Sequence, residues 1–577
     1  MPSRSGPVHV VTTKRHYKGR VYQSHLLRRS YREDGKVKNE TLGNLSHLPE
    51  PIIESIRRLL RGDVLVAVQD AFEITASRTH GAVDAVLLAI RRLKLDALLT
   101  PKPSRVRQLL LALLVARILE PHSKLATTRW WHTSTLPEQL GIQDADEDDL
   151  YAAMDALLTR QPAIEKTLAK RHLREDATVL YDLSSSYFEG RTCPLAKRGY
   201  SRDGKKGTLQ VNYGLLTDAQ GCPVAVSVFP GNTGDSTTLL GQVDQLQGAF
   251  GFQHLVIVGD RGMISQKQID VLNTRGLEWI TALNSQTLRT LLEGEHLQLG
   301  LFDQQNLFEI QHPDYPQERL IACRNPELAQ RRANKRQALL EATTRELEKV
   351  RAMVARGRLR TTDAIGVRVG KVVDRYKVAK HFDLEITEGG FAFSIHAARV
   401  AAEAALDGVY VVRTSVPASR LDSAQTVLAY KRLAHVERAF RSLKTLDLYI
   451  RPIHHRLEDR VRAHIFLCML AYYVQWHMVE AWRPLLFHDE DLAAKEVRDP
   501  VAPARRSAAA QRKAEDRFLP DGSPVHSFRT LLADLATIVS NTCRRPGAAP
   551  DEACFELITQ ASPQQRRAYT LLDSISA

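Results

Sequence analysis

The sequence predicts a multidomain α+β protein, and three observations carry that prediction. The chain has 577 residues, well beyond the size at which one hydrophobic core stops growing. Its apolar periodicity changes along the way: residues 79–175 repeat at helical spacing, whereas 176–283 break into short strand-like runs. Further on, Tyr430–Lys444 (YKRLAHVERAFRSLK) contains neither Gly nor Pro. Leu433, Val436, Phe440, Leu443 and, just beyond, Leu446 recur there at three- and four-residue steps, which predicts one helix with one buried face.

That helix carries a pattern of its own. Tyr430, Glu437 and Lys444 stand seven apart, two turns less about twenty degrees, so the three project on one line at the rim of the apolar stripe. Arg441, four after Glu437, joins them. An acid flanked by a phenol and two cations suits a metal and a phosphate; the plainer alternative is a solvated face with charge pairs one turn apart.

Composition bounds the partners. Eighty basic against 66 acidic residues leave a net charge of +14, a balance that suits a polyanion. Six cysteines (Cys193, Cys222, Cys323, Cys468, Cys543, Cys554) show no CxxC or His-paired spacing. That argues against a zinc module or a disulfide scaffold and fits a reducing compartment. The N-terminus lacks an apolar signal core, and the most apolar run, Ala463–Trp476, is too short to span a bilayer. The expectation is an intracellular soluble protein with no membrane partner.

Taken in order, residues 8–48 alternate β-branched or aromatic residues with cations, and Glu33-Asp34-Gly35-Lys36 reads as a hairpin turn. This basic ribbon suits nucleic acid or packing on the next domain equally well. Residues 50–72 read as helix, with Pro49 and Pro51 at its entrance. Val83–Leu93 and Val106–Leu119 read as amphipathic helices, followed by Asp148–Leu158 and Ala163–Arg174 with breaks between. Such a helical module suits DNA-end recognition, a scaffold or dimerisation.

From 176 the pattern is β-β-β-α-β-α-β. A β-run, ATVLYDLSSSYFE, holds Asp182, and Leu209–Leu216 and Pro223–Phe229 follow it. Asp235 reads as the N-cap of a helix over 236–246. The apolar strand HLVIVG leads to Asp260, then a helix at Gln266–Thr274 and a strand at Leu277–Leu283. Residues 285–405 interrupt with a polar β-like piece (302–323), a basic helix over about 326–358 and a β-rich part from Ile365 to Ile395. The basic helix suits either DNA contact or a solvated face. Strand returns at Val409–Thr414, 458–484 is apolar helix, and the Ala/Arg/Pro/Asp-rich 488–526 reads as a flexible linker.

Asp182 and Asp260 each follow an apolar strand segment, and Glu437 projects from the helix. Three carboxylates from separate elements are the hard oxygen ligands that two Mg²⁺ ions need. Such a pair would activate an attacking oxygen and stabilise a leaving one in phosphoryl transfer. A single Asp at a strand end is otherwise a common turn or cap residue. His454-His455 lacks acid or Cys spacing for a metal and suits a surface or DNA-proximal role, His464 lies on an apolar helix as a core histidine, and Ser184–Ser186 has no His/Asp pattern for hydrolysis.

Together, in order, these motifs resemble the cut-and-paste DDE transposases of bacterial insertion sequences, the insertion-sequence-four-like branch with a Tyr-x2-Arg-x3-Glu-x6-Lys signature. The resemblance covers roughly 176–475 and rests on YDLSSSYFEG, RGYSRDGKKG, FPGNTGDSTTL, Gly259-Asp260-Arg261-Gly262 and the 430–444 helix. It implies an RNase H-like catalytic core (176–284 plus 406–485) interrupted by a mixed β/α insertion (285–405). A small basic β unit (1–50) and a helical, candidate DNA-end-binding domain (51–175) precede the core, and a linker with a small C-terminal region (486–577) follows.

It further implies that Asp182, Asp260 and Glu437 are catalytic and hold two Mg²⁺ ions, with Mn²⁺ able to substitute. Tyr430, Lys444, Arg441 and Arg261 would contact DNA. The partners would be double-stranded DNA at element ends and target, bridged by a synaptic homodimer in the cytoplasm, on the nucleoid when bound. Leu433 stands where the signature has Arg, with Arg432 one residue away at a different helical angle and Arg441 as a substitute. If a flipped base needs an aromatic stack, Tyr315, Tyr376 or Phe391 would serve. The rival functions are an RNase H-like nuclease without strand transfer and a non-catalytic DNA-binding protein that retains the fold.

Overall fold

The computed structural model describes residues 5–64, 71–294, 297, 299–303, 305–491, 499–502, 505–549, 552 and 554–576. In place of the five segments expected, the chain divides into two compact units. One runs to Ser77 and takes in Ser540–Ile558; the other comprises Arg78–Val539 with Thr559–Ala577.

In the first unit β1 (Val8–Tyr17), β2 (Arg20–Glu33) and β3 (Lys36–Asn44) form an antiparallel sheet in that order. Both turns place two residues at positive φ, Lys18-Gly19 and Asp34-Gly35, the geometry whose twist matches a hairpin. The helix expected over 50–72 is α1 (Glu50–Leu60), and it ends there because Gly62 leaves the helical region at φ 98°. Ile53 of α1 is buried, and Arg57 donates to Nδ1 of the buried His25 at 3.1 Å. Residues 65–70 of that expected helix lie outside the described residues. β4 (Glu73–Thr79) is strand, beside Val539–Arg544, which in turn pairs with Phe555–Ile558.

The second unit opens with α2 (Gly81–Arg92), α3 (Leu95–Leu99), α4 (Arg105–Leu119), α5 (Lys124–Trp130), α6 (Leu136–Leu140) and α7 (Glu147–His172). α4 is buried at every residue from Leu109 to Ile118, so it is an internal helix and not the amphipathic one expected. The two helices expected over 148–174 are one, with Pro162 inside it. Asp146 caps its first turn by accepting from Asp148 and Asp149 N–H, both at 3.0 Å.

A single large sheet follows. Its strands are β5 (Thr178–Tyr187), β6 (Lys197–Arg198), β7 (Leu209–Asp218), β8 (Pro223–Pro230), β9 (Val256–Val258), β10 (Glu278–Ala282), β11 (Leu307–Ile310), β12 (Arg319–Arg324) and, later, β15 (Val409–Thr414). The lateral order is β8-β7-β5-β9-β10-β15-β12-β11, with β6 also on β7. β5, β7 and β8 form the antiparallel meander; β9 runs parallel to β5 and β10 parallel to β9, while β15 runs antiparallel to β10. α8 (Asp235–Asp244) and α9 (Gln266–Thr274) connect them. Asp235, expected as a cap, is the first residue of α8, after Gly234.

The sheet is covered on both faces, and strand alternation sorts its side chains. Val179, Tyr181, Leu183, Ile257 and Trp279 pack with Leu239 and Val243 of α8 and Ile269 and Leu272 of α9. Leu180, Val256, Val258, Ile280 and Val412 join a second core with α2, α4, α7 and α16 (Glu458–Ala481). The helices of 81–172 are therefore part of the body that carries the sheet.

The 285–405 region divides between that sheet and a separate cluster. α10 (Ser285–Glu293), β11 and β12 pack with β15, so the polar 302–323 piece extends the sheet at its edge. α11 (Pro326–Ala355), α12 (Thr362–Tyr376), the hairpin β13 (Phe382–Thr387) and β14 (Gly390–Ile395), and α13 (Ala397–Ala404) surround their own core of Leu347, Ile365, Val369 and Phe391. The β structure expected from Ile365 is helical to Tyr376: Ile365, Val369, Val372 and Tyr376 share one face, and that period outweighs their β-branched propensity. On α11, Arg336 makes a two-pronged pair with Asp407, and Lys349 and Arg351 pair along the helix, while Arg332, Lys335 and Arg345 stay exposed.

In the stretch expected as a linker, 492–498 and 503–504 lie outside the described residues. The rest includes a helix, Ala508–Asp516, and buries Val501, Leu519 and Val525. Helices at Phe528–Leu535 and Pro563–Asp573 close the same core, where Trp482 Nε1 donates to the Ala568 carbonyl at 2.9 Å and the Tyr569 hydroxyl to that of Gly81 at 2.8 Å.

One buried acid ties α7 to the sheet. Glu165 accepts from Gln161 (2.8 Å), Gln245 (2.8 Å) and Val226 N–H (3.0 Å). Burial raises its carboxyl to about 7. The unfolded chain therefore ionises first, and between about pH 4.5 and 7 stability falls as pH rises. The expected outcome is that Glu165→Gln removes this dependence. Its melting temperature relative to wild type should rise from pH 5 to pH 8, reflecting up to about 3 kcal/mol; a difference that does not change with pH would contradict it.

Candidate active site

The parallel pairing of β5 and β9 sets Leu180 opposite Val258. Asp182 and Asp260 each lie two residues further on, so both acids emerge on the side of the paired Leu and Val. Asp182 is half-buried, and its Oδ1 accepts from Leu183 N–H at 2.8 Å. Burial first, then the charge of Asp260 and to a smaller extent that of Glu437, hold its carboxyl up to about 7, against the pull of Arg202. Asp260 is exposed in the turn that follows β9, where its Oδ1 accepts from Gly262 (3.0 Å) and Met263 (2.8 Å). It is thus a turn residue as well as a member of the acidic group.

The third acid comes from a helix that differs from the one expected. α14 (Ser423–Lys431) and α15 (Leu433–Arg441) are separated at Arg432, and Ser442–Leu446 continues as a π-helical turn. Val436, Ala439 and Phe440 face the core, where Phe440 meets the Tyr213 ring edge-on at 5.8 Å, and Glu437 points to solvent. Leu446, expected in the apolar stripe, is 61% exposed because the π turn rotates it outward.

The break and the π turn also separate the residues of the sequence line. Tyr430 sits in the last turn of α14, its hydroxyl pushed up to about 12 by burial, then by Asp260 and Glu437, with Arg261 opposing. Lys444 is turned inward: it is 7% exposed and bonds Asp203 at 3.1 Å. Burial draws its amine below the usual lysine range even though Asp203 favours the charge. Arg441 and Arg261 remain exposed. Arg432, the neighbour of the signature position, is taken up in the junction of the two helices.

A cleft of about 420 Å³ gathers these groups. Asp182, Asp260 and Glu437 line it together with Arg202, Asp203, Asp235, Arg441, Lys444 and Arg451. Asp203 is the residue that the sequence pattern does not single out. Its side chain is 1% exposed, accepts from Tyr187 N–H at 3.0 Å, and pairs with both Lys444 and Arg451. Arg202 in turn pairs with Asp235 at 2.5 Å. An acid and a cation side by side in RGYSRDGKKG were the available signal. Tyr315, Tyr376 and Phe391 are not among the residues lining this cleft: Tyr315 stacks with Arg413, and Phe391 is buried against Phe393.

Other expected residues fall elsewhere. His464 is a core histidine whose ring nitrogen lies 3.1 Å from the Ile450 carbonyl. His454 is exposed, but His455 packs its ring on Tyr151 and His464, so only the first of the pair keeps a surface position. Ser184, Ser185 and Ser186 are buried in β5, and Ser186 bonds the Tyr213 hydroxyl at 2.8 Å.

Residues 184–474, just over half of the chain, match the transposase DDE domain, and residues 10–66 match the N-terminal domain of IS1634 family transposases. The first match begins two residues after Asp182 and includes Asp260 and Glu437. No curated protein matches the chain. Among solved structures, the chain is similar to a piggyBac transposase in a synaptic complex with hairpin DNA, at 9% identity over 79% of this chain and 70% of that one, with a TM-score of 0.31. That likeness is too remote to carry any inference. The DDE-domain match is enough: the chain belongs to the DDE transposases, enzymes that cut DNA and transfer strands.

Proposed function

We propose that this transposase cleaves DNA at element ends and joins the released 3′-OH to target DNA, with Asp182, Asp260 and Glu437 as its catalytic acids on an RNase H-like core. The observation that carries the proposal is the meeting of all three carboxylates in one cleft, two of them from paired parallel strands. In this reading 176–284 with 406–485 does the chemistry, 285–405 is an insertion, and 1–50 and 51–175 serve end recognition.

The donor set fits divalent magnesium. It offers carboxylate oxygens, and among the described residues no thiol or imidazole lines the cleft, the preference of a hard cation. Burial, and then the neighbouring acids, raise the Asp182 carboxyl to about 7, and bound cations would relieve the part that is repulsion. Asp182, Asp260 and Glu437 would hold two Mg²⁺ ions, with Mn²⁺ able to substitute. Bound there, such ions would polarise the phosphodiester and stabilise charge on the attacking and leaving oxygens.

The chain's own groups do the rest. Arg441 on the cleft wall, and Arg261 beside Asp260, meet the phosphate backbone with charge-assisted hydrogen bonds. Lys444 and Arg451 are held by Asp203, so they present a fixed positive edge where the scissile phosphate lies. Attack by water breaks the P–O3′ bond and leaves a 3′-hydroxyl and a 5′-phosphate. The hydroxyl, kept in the cleft by the same cations, attacks a phosphodiester of the target and displaces its 3′-oxygen. A synaptic homodimer holding two ends in the bacterial cytoplasm completes the reading.

The test uses duplex DNA carrying the element's terminal repeats, with pre-cleaved ends to read strand transfer separately. Asp182→Asn, Asp260→Asn and Glu437→Gln should each reduce Mg²⁺-dependent nicking and joining by about a thousandfold or more, about 4 kcal/mol, while end binding persists. Full nicking by Glu437→Gln would remove that residue from the triad, and wild-type protein that cuts but never joins pre-cleaved ends would reduce the reading to a nuclease.

The two cations of the helix should separate in their effects. Arg441→Ala removes an exposed charge, so it should weaken end binding and lower the salt slope by about one counterion with melting temperature unchanged. Lys444→Ala removes one of the two cations paired with the buried Asp203 and should also destabilise the fold by about 2 kcal/mol, read as a drop in melting temperature. Equal stability of the two variants would contradict the buried pairing.

A further inference from the structure

Away from the cleft, three side chains meet that no part of the proposed reaction uses. His172 ends α7, Cys222 stands in the turn between β7 and β8, and His477 lies on α16. The Cys222 sulfur is 3.9 Å from Nε2 of His172 and 3.9 Å from Nε2 of His477. All three ligand atoms lie within 4.8 Å of one another. The Tyr473 hydroxyl approaches His172 Nε2 at 3.0 Å, and Tyr473 and His477 meet edge to face at 4.7 Å.

We propose that His172, Cys222 and His477 form a structural site for a borderline-soft divalent cation of the zinc type, with the Tyr473 hydroxyl or a water as fourth ligand. Two imidazole nitrogens and a thiolate are the donor set such an ion takes. With metal–sulfur and metal–nitrogen bonds of about 2.3 and 2.0–2.1 Å, tetrahedral ligands stand about 3.5 Å apart. The sulfur–nitrogen distances exceed that by a few tenths of an ångström, a closure that side-chain torsions supply. Neutral imidazole offers a ring-nitrogen lone pair of the kind such an ion takes. The thiol, fully buried, gives up its proton when the metal binds. Asp218, whose carboxylate accepts from Cys222 N–H at 2.9 Å, supplies a nearby counter-charge.

The ligands come from three elements 50 and 255 residues apart, so an ion here clamps α7, the β7–β8 turn and α16 together. That turn also supports the catalytic helix. A Cβ added at Gly221, which holds φ +89°, would meet the His435 side chain at 2.8 Å. His435 is two residues before Glu437. The clamp therefore fixes the ground on which α15 stands, without touching the carboxylate cleft.

Without a metal the same atoms make a hydrogen-bonded cluster, the Tyr473 hydroxyl with the His172 ring and the thiol with the His477 ring, so the experiment must separate the two. Full-length protein produced with zinc and dialysed into magnesium buffer is analysed for bound metal by mass spectrometry. About one zinc per chain is expected, lost in Cys222→Ala and His477→Gln but retained in an Asp182→Asn/Asp260→Asn variant that disables the cleft. Cobalt titrated into apoprotein should produce a thiolate-to-cobalt charge-transfer band, absent in Cys222→Ser. Chelation should lower the melting temperature of wild type and not of Cys222→Ser. Wild-type protein with no tightly held zinc, zinc lost only with the cleft acids, or a cobalt spectrum without the sulfur band would each overturn the site; the cobalt spectrum of wild type decides even where a variant fails to fold.

Discussion

The parallel register of β5 on β9 is the constraint on which the rest of the site depends. With Leu180 opposite Val258, the acids two residues further along each strand emerge side by side on one face. A slip of one residue would turn Asp182 into the opposite core, among Tyr181 and Leu183, where an ionised carboxylate has no solvation. The register is held because both faces of β5 are packed, Leu180 against the helical core and Val179 against α8 and α9. Burial thereby specifies the very arrangement that makes the acids repel, and the Asp182 carboxyl is raised by that burial first and by the charge of Asp260 second.

Glu437 reaches the same cleft through an irregular helix. A continuous α-helix over 430–446 would place Lys444 and Glu437 on one solvent-facing line. The junction at Arg432 and the π turn at Ser442–Leu446 break that line, so Glu437 stays outward while Lys444 turns in to Asp203. π turns insert an extra residue into a helix at small cost and recur where side chains must be re-aimed. Here the effect is to divide the cations: Lys444 and Arg451 are immobilised on a buried carboxylate, whereas Arg441 keeps its freedom at the surface. A fixed positive edge suits positioning, and a mobile one suits capture of an incoming backbone.

Much of this was legible in the sequence where signals are local. The β-β-β-α-β-α-β order was readable because each strand is a short apolar run bounded by turn residues, and Asp182, Asp260 and Glu437 stood out as acids at the ends or rims of such runs. What escaped depends on contacts distant in sequence or on competing local cues. α12 was hidden by its β-branched residues, and the unity of α7 by Pro162. The joining of β11 and β12 to the main sheet is a pairing with β15, about ninety residues away, for which no local pattern exists. Asp203 reads as one acid in a charged loop until its burial against Lys444 and Arg451 is seen. The cysteines illustrate the same limit: their spacing speaks against a zinc module, yet Cys222 acquires two histidine neighbours through the fold alone.

The helical layer gives the helix that carries Glu437 a firmer base than a loose insertion could. α4 is buried at every residue from Leu109 to Ile118 and must be surrounded, and α16, buried from Val461 through much of its length, is one of the elements that surround it. Arg117, buried in α4, donates to the Leu448 carbonyl at 3.3 Å, just past the π turn. From the other side the β7–β8 turn meets His435 just ahead of Glu437. α15 is thus braced at both ends by parts of the chain separated from it by more than two hundred residues. An acid exposed on a helix so held keeps its place relative to Asp182 and Asp260 through the packing beneath it, which is why residues far from the cleft bear on the geometry of the three carboxylates.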